Sequence, residues 1–262
     1  MKIVPIAIGR SFMNYIIEIA TSDFLTTKSA VEGGADRIEL CANLAEGGTT
    51  PSYAHIRICR EAFDLALFPI IRPRGGDFLY TKDEFEIMKN DIKLCKELGC
   101  EGIVIGLLNM DGTIDMTRTS ELIELAYPLE VTFHRAFDRC KDPSVALEEL
   151  IEIGCQRILT SGQQPSVGSH ESVVNSKAVD LISELNKKAD DRIIIMPGSG
   201  VRKENIKMLA DKTGCIEFHS SLRGKAKSPM QFIHPAFADS AESYSNNEIS
   251  PDEVRALRNA LM

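Results

Sequence analysis

The side chains best suited to chemistry lie at the ends of short apolar runs. Glu18 sits in YIIEIA (15–20), and Glu39 and Cys41 sit in RIELC (37–41). Arg72 ends LFPIIR (67–72), with Arg74 and Asp77 just beyond in PRGGDF. His134 closes LEVTFH (129–134), followed by Arg135 and Asp138. Thr160, Ser161 and Gly162 end QRILT, Gly198-Ser-Gly200 follows RIIIM, and His219, Ser220 and Ser221 end CIEFH. Carboxylates and imidazoles move protons near neutrality, so Glu18, Glu39, His134 and His219 are candidates for acid–base work. Guanidinium groups fork onto carboxylate or phosphate, and a Gly-x-Gly before a helix turns backbone N–H groups toward an anion. The candidate ligand-binding set is therefore Arg72, Arg74, Asp77, Arg135, Asp138, Ser161, Gly198, Gly200 and Ser220. Each feature has a quieter alternative. Arg72 or Arg74 can pair with Glu18 or Glu39, either histidine can pack against a carbonyl, and Gly198-Ser-Gly200 can be a plain turn. His55, His170 and His234 lie on helices or loops and are read as structural.

The apolar runs alternate with helical patterns at a mean spacing of about 30 residues, the size of one βα step. Runs at 15–20, 37–41, 67–72, 101–107, 129–134, 156–160, 192–196 and 215–219 are expected to be strands. Thr50-Pro51 is expected to open the second helix as cap and first-turn proline. Thr81 and Glu84 form a capping box ahead of Phe85, Met88, Ile92 and Cys95 at helical spacing, and Gly99 stops that helix. Asp142-Pro143 starts another, Arg202–Lys212 is read as a helix, and Ser250-Pro251 opens the last. Several strands are apolar on both faces, as in a parallel sheet covered by helices. The sequence predicts a single (β/α)8 barrel domain over 1–262, with Met1–Asn14 as an N-terminal extension and a C-terminal helix; a doubly wound open sheet is the alternative. In such a barrel the strand ends meet on one rim, where active sites of this fold lie.

The chain has 262 residues and a formal net charge of −8. About 250 residues is a common barrel length. A hydrophobic share of 44% with 26% charged residues excludes disordered and fibrous classes. The acidic balance argues against nucleic acid or an anionic membrane as partner. No run approaches the roughly 20 apolar residues that span a bilayer, and no signal-peptide pattern opens the chain, so a cytoplasmic location is expected. Seven dispersed cysteines with no Cys-x-x-Cys pair argue against a disulfide framework or a structural zinc site. Cys41 is the thiol best placed at the rim, with Cys140 as a possible companion, and soft thiolates favour Cu(I). A hard metal on Glu18, Glu39 and His134 is a further reading.

The segments GADRIELC (34–41), EGGTTPS (46–52), PIIRPRGGDF (69–78), VTFHRAFD (131–138), ILTSGQ (158–163), GSGV (198–201) and EFHSS (217–221) occur in one order. Together they closely resemble the CutC family, named for copper homeostasis, over about residues 15–223. The resemblance implies a (β/α)8 barrel, a cytoplasmic protein and a homo-oligomer, a dimer first. It also implies copper handling, with Cu(I) on cysteine thiols. Cys41 matches the family's strand-two cysteine. The first strand of many relatives ends Glu-x-Cys, whereas this one reads Glu18-Ile19-Ala20, so a two-thiol site of that kind lacks its partner here. Met1–Asn14 extends beyond the usual family start, as a plug beneath the barrel or a subunit contact. Two functions follow. One is a copper-homeostasis protein binding Cu(I) at Cys41. The alternative is an isomerase or lyase acting on a small phosphorylated, carboxylated or sugar-like substrate by Glu/His chemistry. A noncatalytic oligomeric sensor is a third.

Overall fold

The computed structural model describes residues 15–168, 174–237 and 244–262. The N-terminal extension Met1–Asn14 and His170 lie outside the described residues. Eight parallel strands form the centre: β1 (Ile16–Thr21), β2 (Arg37–Leu40), β3 (Ala66–Pro69), β4 (Gly102–Ile105), β5 (Glu130–Phe133), β6 (Arg157–Thr160), β7 (Ile194–Pro197) and β8 (Glu217–Ser220). They pair in the orders β3-β2-β1-β8 and β4-β5-β6-β7. The Ile71 N–H donates to the Val104 carbonyl at 2.8 Å and joins β3 to β4. β7 and β8 lie side by side and close the ring. The strands fall where the apolar runs predict, and the expected (β/α)8 barrel is the architecture observed.

A helix follows each strand: α1 (Phe24–Glu32), α2 (Tyr53–Ala62), α3 (Lys82–Glu97), α4 (Met116–Ala126), α5 (Pro143–Glu152), α6 (Ser176–Ala189), α7 (Ile206–Thr213) and α8 (Pro251–Asn259). α3 has its reciprocal Thr81–Glu84 cap, and buries Phe85, Met88, Ile92 and Cys95. Gly99 ends it at φ +73°, a left-handed conformation that costs glycine little. Two helix starts differ from expectation. Ser52, not Thr50, caps α2; the Thr50 hydroxyl instead accepts the Arg72 N–H at 2.9 Å and ties the β2 loop to the end of β3. α7 begins at Ile206 rather than Arg202, because buried Asn205 accepts the Arg202 N–H and donates back to the Gly200 carbonyl, both at 2.9 Å. A hairpin unforeseen in the sequence, β9 (Gly224–Lys227) with β10 (Ser245–Glu248), stands between β8 and α8. Its strands are exposed and polar, so they carry no alternation of buried and exposed residues.

Side chains of period two point alternately into the barrel and out toward the helices. Outward Ile17, Ile19, Ile38, Leu40, Leu67, Ile103, Ile105, Val131, Phe133, Ile158 and Phe218 build the main core with the helices. The inward set is different in kind. Cys41, Phe68, Ile70 and Val104 form a separate small apolar cluster. Beside them runs a buried chain of charges of alternating sign. Arg37 donates from Nε to Glu18 and from Nη2 to Glu217 at 2.6 Å. Arg157 donates from Nε to the same Glu217 oxygen at 2.6 Å and from Nη2 to Glu130 at 3.1 Å. Both guanidinium groups also lie on the Phe68 ring, 5.0 and 5.6 Å from its centroid. Gly102 makes room for that ring, since a Cβ there would meet it at 2.4 Å.

Burying ions costs several kcal/mol each, so such a chain survives only when every member is paired. Arg37→Ala would strand both Glu18 and Glu217. The expected loss is about 3–5 kcal/mol of unfolding free energy, read from urea denaturation at pH 7. A loss under about 1 kcal/mol would show that the chain contributes nothing that water cannot replace.

Candidate functional site

A cavity of about 150 Å³ opens at the C-terminal ends of the strands. Its floor and inner walls come from inward residues Ala20, Glu39, Ile70, His134, Leu159 and His219; loop residues Leu44, Gly47, Arg72, Phe78, Arg135, Ser199, Gly200, Ser221 and Arg223 complete it. A second cavity of about 570 Å³ shares Gly47, Arg72, Phe78 and Arg135 and continues over Asp138, Gln163 and Gln164. The rim expected from the fold is thus a real concavity.

Glu18 lies beneath the floor rather than in it. It is wholly buried, with Oε2 on Arg37 and Oε1 2.7 Å from His219 Nδ1. Burial alone would raise its pKa, but Arg37 and His219 outweigh that and hold it well below the carboxylate range. The alternative that Arg72 or Arg74 pairs with Glu18 or Glu39 is corrected by this geometry: the guanidinium on Glu18 belongs to Arg37. His219 reaches the cavity, its Nε2 3.7 Å from Glu39. Burial disfavours its charged form, yet Glu39 and Glu18 prevail and raise its pKa. Glu39 is pushed up, chiefly by burial and also by Glu18, against the pull of His219.

His134 is tuned the opposite way. It is buried, its Nδ1 accepts the Ala136 N–H at 3.1 Å, and its ring lies 4.9 Å from that of Phe78. Burial and the nearby Arg72 lower its pKa to about 3. Gly106 allows the ring its place, since a Cβ there would sit 2.2 Å from His134 Cε1.

Arg72 is 3% exposed and donates to three backbone carbonyls, Glu46 at 2.9 Å, Gly48 at 2.7 Å and Gly76 at 2.9 Å. Its guanidinium lies 5.0 Å from the centre of the Phe78 ring. Arg223 donates to the Leu44 carbonyl. Among the described residues neither arginine pairs with a carboxylate, so their charge remains available to a ligand. Arg135 pairs with Asp138 at 2.8 Å. Asp138 also accepts from Thr160 Oγ1, from Ser161 and from the Gln163 N–H, fastening the loops after β5 and β6. Gly200 and Ser199 line the cavity with left-handed backbones, φ +90° and +65°. Gly198 lies just below, where a Cβ would strike Leu159 at 2.4 Å.

Several expected residues lie elsewhere. Arg74 turns outward onto Glu84 and Asp77, and exposed Asp77 serves that pair; neither lines the cavity. Ser220 faces out of the barrel, donating to the Val201 carbonyl at 2.8 Å, and Ser221 takes the place at the mouth. Ser161 is buried under Arg135 and Asp138. Arg37, Glu217, Arg157, Phe78 and Arg223 were absent from the expected set. For Arg37 and Glu217 a signal existed, since each stands two residues before Glu39 or His219 and must share its face.

The residues present fit Cu(I) poorly. Cys41 is 1% exposed, within the apolar cluster and under Gly48. Burial and Glu39 push its pKa well above the usual thiol value, and copper ligation needs the thiolate. Cys140 is buried, with Sγ 3.6 Å from the Gln163 amide and its pKa pushed up to about 12 by burial and Asp138. A hard metal on Glu18, Glu39 and His134 is equally poorly served, because Glu18 spends both oxygens on Arg37 and His219. Among the described residues no group of three or more His, Cys, Asp or Glu side chains is placed to hold a metal.

A histidine whose folded pKa is raised above about 6.5 adds stability that is full below that pH and fades as pH rises through the folded value. His219 is therefore expected to lose its second proton at a higher pH than a free imidazole, as read by ¹⁵N NMR. Glu39→Gln should move its deprotonation to lower pH. An unchanged titration would remove Glu39 as a cause.

The profile of the CutC family matches residues 15–224. A CutC family protein from Chromobacterium violaceum is 46% identical over 252 residues, covering 95% of this chain and 99% of that one. A human protein named copper homeostasis protein cutC homolog is 41% identical, over 93% of this chain and 87% of its own. The crystal structure of a CutC protein from Streptococcus agalactiae superposes with a TM-score of 0.73 at 31% identity, over 79% of this chain and 98% of that one. Barrel geometry, rim motifs and these likenesses agree: the chain belongs to the CutC family.

Proposed function

We propose that the protein serves copper homeostasis, the role in the name of its human relative, by binding a small anionic ligand at the barrel mouth. The observation that carries this reading is the uncompensated charge of buried Arg72 and exposed Arg223 on the cavity at the barrel mouth, beside the backbone of Ser199 and Gly200. A cation held among carbonyls in a low-dielectric wall, as Arg72 is, attracts an anion more strongly than one in water. Seven unpaired, buried thiols support a reducing, cytoplasmic location. Exposed Leu25, Tyr53 and Ile58 on α1 and α2 support a homodimer, which sedimentation velocity measures.

A second reading rests on one contact. His219 stands between Glu18 and Glu39 with Glu39 facing the cavity, the arrangement of an acid–base pair. It supports an isomerase or lyase acting on the same anion.

Inorganic phosphate is the first probe. Arg223→Met and Arg72→Met are each expected to weaken its binding at least about tenfold by calorimetry, with the fold intact by circular dichroism. Equal affinity in wild type and both variants would end the anion reading. In a competitive Cu(I) titration, wild type and Cys41→Ala are expected to bind equally, because Cys41 is held as a buried thiol. A clear loss in Cys41→Ala would place copper at that sulfur.

A further inference from the structure

Among the described residues the buried Nε2 of His134 has no hydrogen-bond partner, although its ring lines the cavity. An unpaired polar atom buried in this way costs about 1–3 kcal/mol, and a native site that tolerates one is commonly completed by something absent from the chain itself. The other ring nitrogen fixes what Nε2 can be. Nδ1 accepts the Ala136 backbone N–H, so Nδ1 carries no proton. The neutral imidazole then carries its proton on Nε2 and is a donor there.

The groups facing the ring hold it in that state. Arg72 and Arg135 both oppose a second positive charge, Phe78 stacks on it at 4.9 Å, and Gly106 brings plain backbone against Cε1. We propose that His134 is a fixed, uncharged hydrogen-bond donor whose Nε2–H takes an acceptor oxygen of the bound anion, with the anionic group held by Arg72. The inference rests on the anion reading above and deepens it by naming the ligand class: a short acid with a carbonyl oxygen next to its charged group, such as a 2-oxo acid. A donor that stays neutral can polarise a carbonyl without ever giving up its proton to bulk pH. Size agrees. The inner cavity, about 150 Å³ and open at the strand ends, has room for a small acid. Anything longer would extend over Phe78 into the outer cavity.

Two measurements on the full-length protein test this. In ¹⁵N NMR, His134 is expected to show the Nε2–H tautomer from pH 5 to 9 with no titration. An Nδ1–H tautomer, or a titration near the ordinary histidine value, overturns the inference whatever the ligand. Pyruvate is the binding probe. Its addition is expected to shift the Nε2–H resonance; His134→Leu should weaken pyruvate at least about tenfold, and His134→Gln, which keeps an N–H donor, should recover most of the loss. Pyruvate binding lost in Arg223→Met but unchanged in His134→Leu overturns this inference and leaves the anion reading standing. Failure of wild type to bind both pyruvate and inorganic phosphate overturns the two together.

Discussion

The wholly buried Glu18 carboxylate is the constraint from which the barrel's interior follows. A carboxylate without water remains ionised only if cations or hydrogen-bond donors take up its oxygens. Arg37 takes one and His219 the other. Arg37 then needs a second carboxylate, Glu217, which needs Arg157, which ends on half-exposed Glu130 at the far end of the barrel. An all-aliphatic interior would require none of this. The polar chain occupies the lower interior, and its upper end delivers to the cavity floor an imidazole whose charged form is favoured by Glu39 and Glu18.

That delivery separates the two histidines. His219 has carboxylates on both nitrogens, Glu18 on Nδ1 and Glu39 near Nε2, and its charge is favoured. His134, at the end of β5 and three strands round the ring, faces Arg72 and a backbone donor, and its charge is suppressed. Pairs of titratable groups driven apart by their surroundings are how one pocket assigns acid, base and electrophile roles at a single pH. Here the division is structural, since both settings come from groups fixed in strands or held by several hydrogen bonds.

The strands and the rim were legible in the sequence because apolar runs, glycine stops and capping residues are local signals. Glu39, His134, His219, Arg72 and Arg135 all reach the mouth, as strand position alone implies. Parity at the strand ends was harder. Ser220 and Ser221 differ by one residue and therefore by a full reversal of face, and only Ser221 looks inward. Pairing was not legible. Glu18 meets Arg37 and His219 across 19 and 201 residues, through registers that no local pattern encodes. Arg74 and Asp77 looked like rim chemistry because of their neighbours, yet Glu84 at the start of α3 draws Arg74 outward. Cys41 lies on the inward face as its position requires; its depth under Gly48 depends on the β2 loop folding back over it.

The same loop decides what kind of recognition the mouth can perform. Three of the five N–H donors of Arg72 are occupied by the carbonyls of Glu46, Gly48 and Gly76. Carbonyls take up those donors without cancelling the charge, and Nε keeps an N–H with no partner among the described residues. Arg72 therefore combines a field that attracts any anion with an open directional donor. The other directional donors at the mouth are Arg223, the Ser221 hydroxyl, the backbone at Ser199 and Gly200, and the unpaired Nε2 of His134. Loss of the Arg72 charge should weaken all anions, whereas a substitution at His134 should change which anion is preferred.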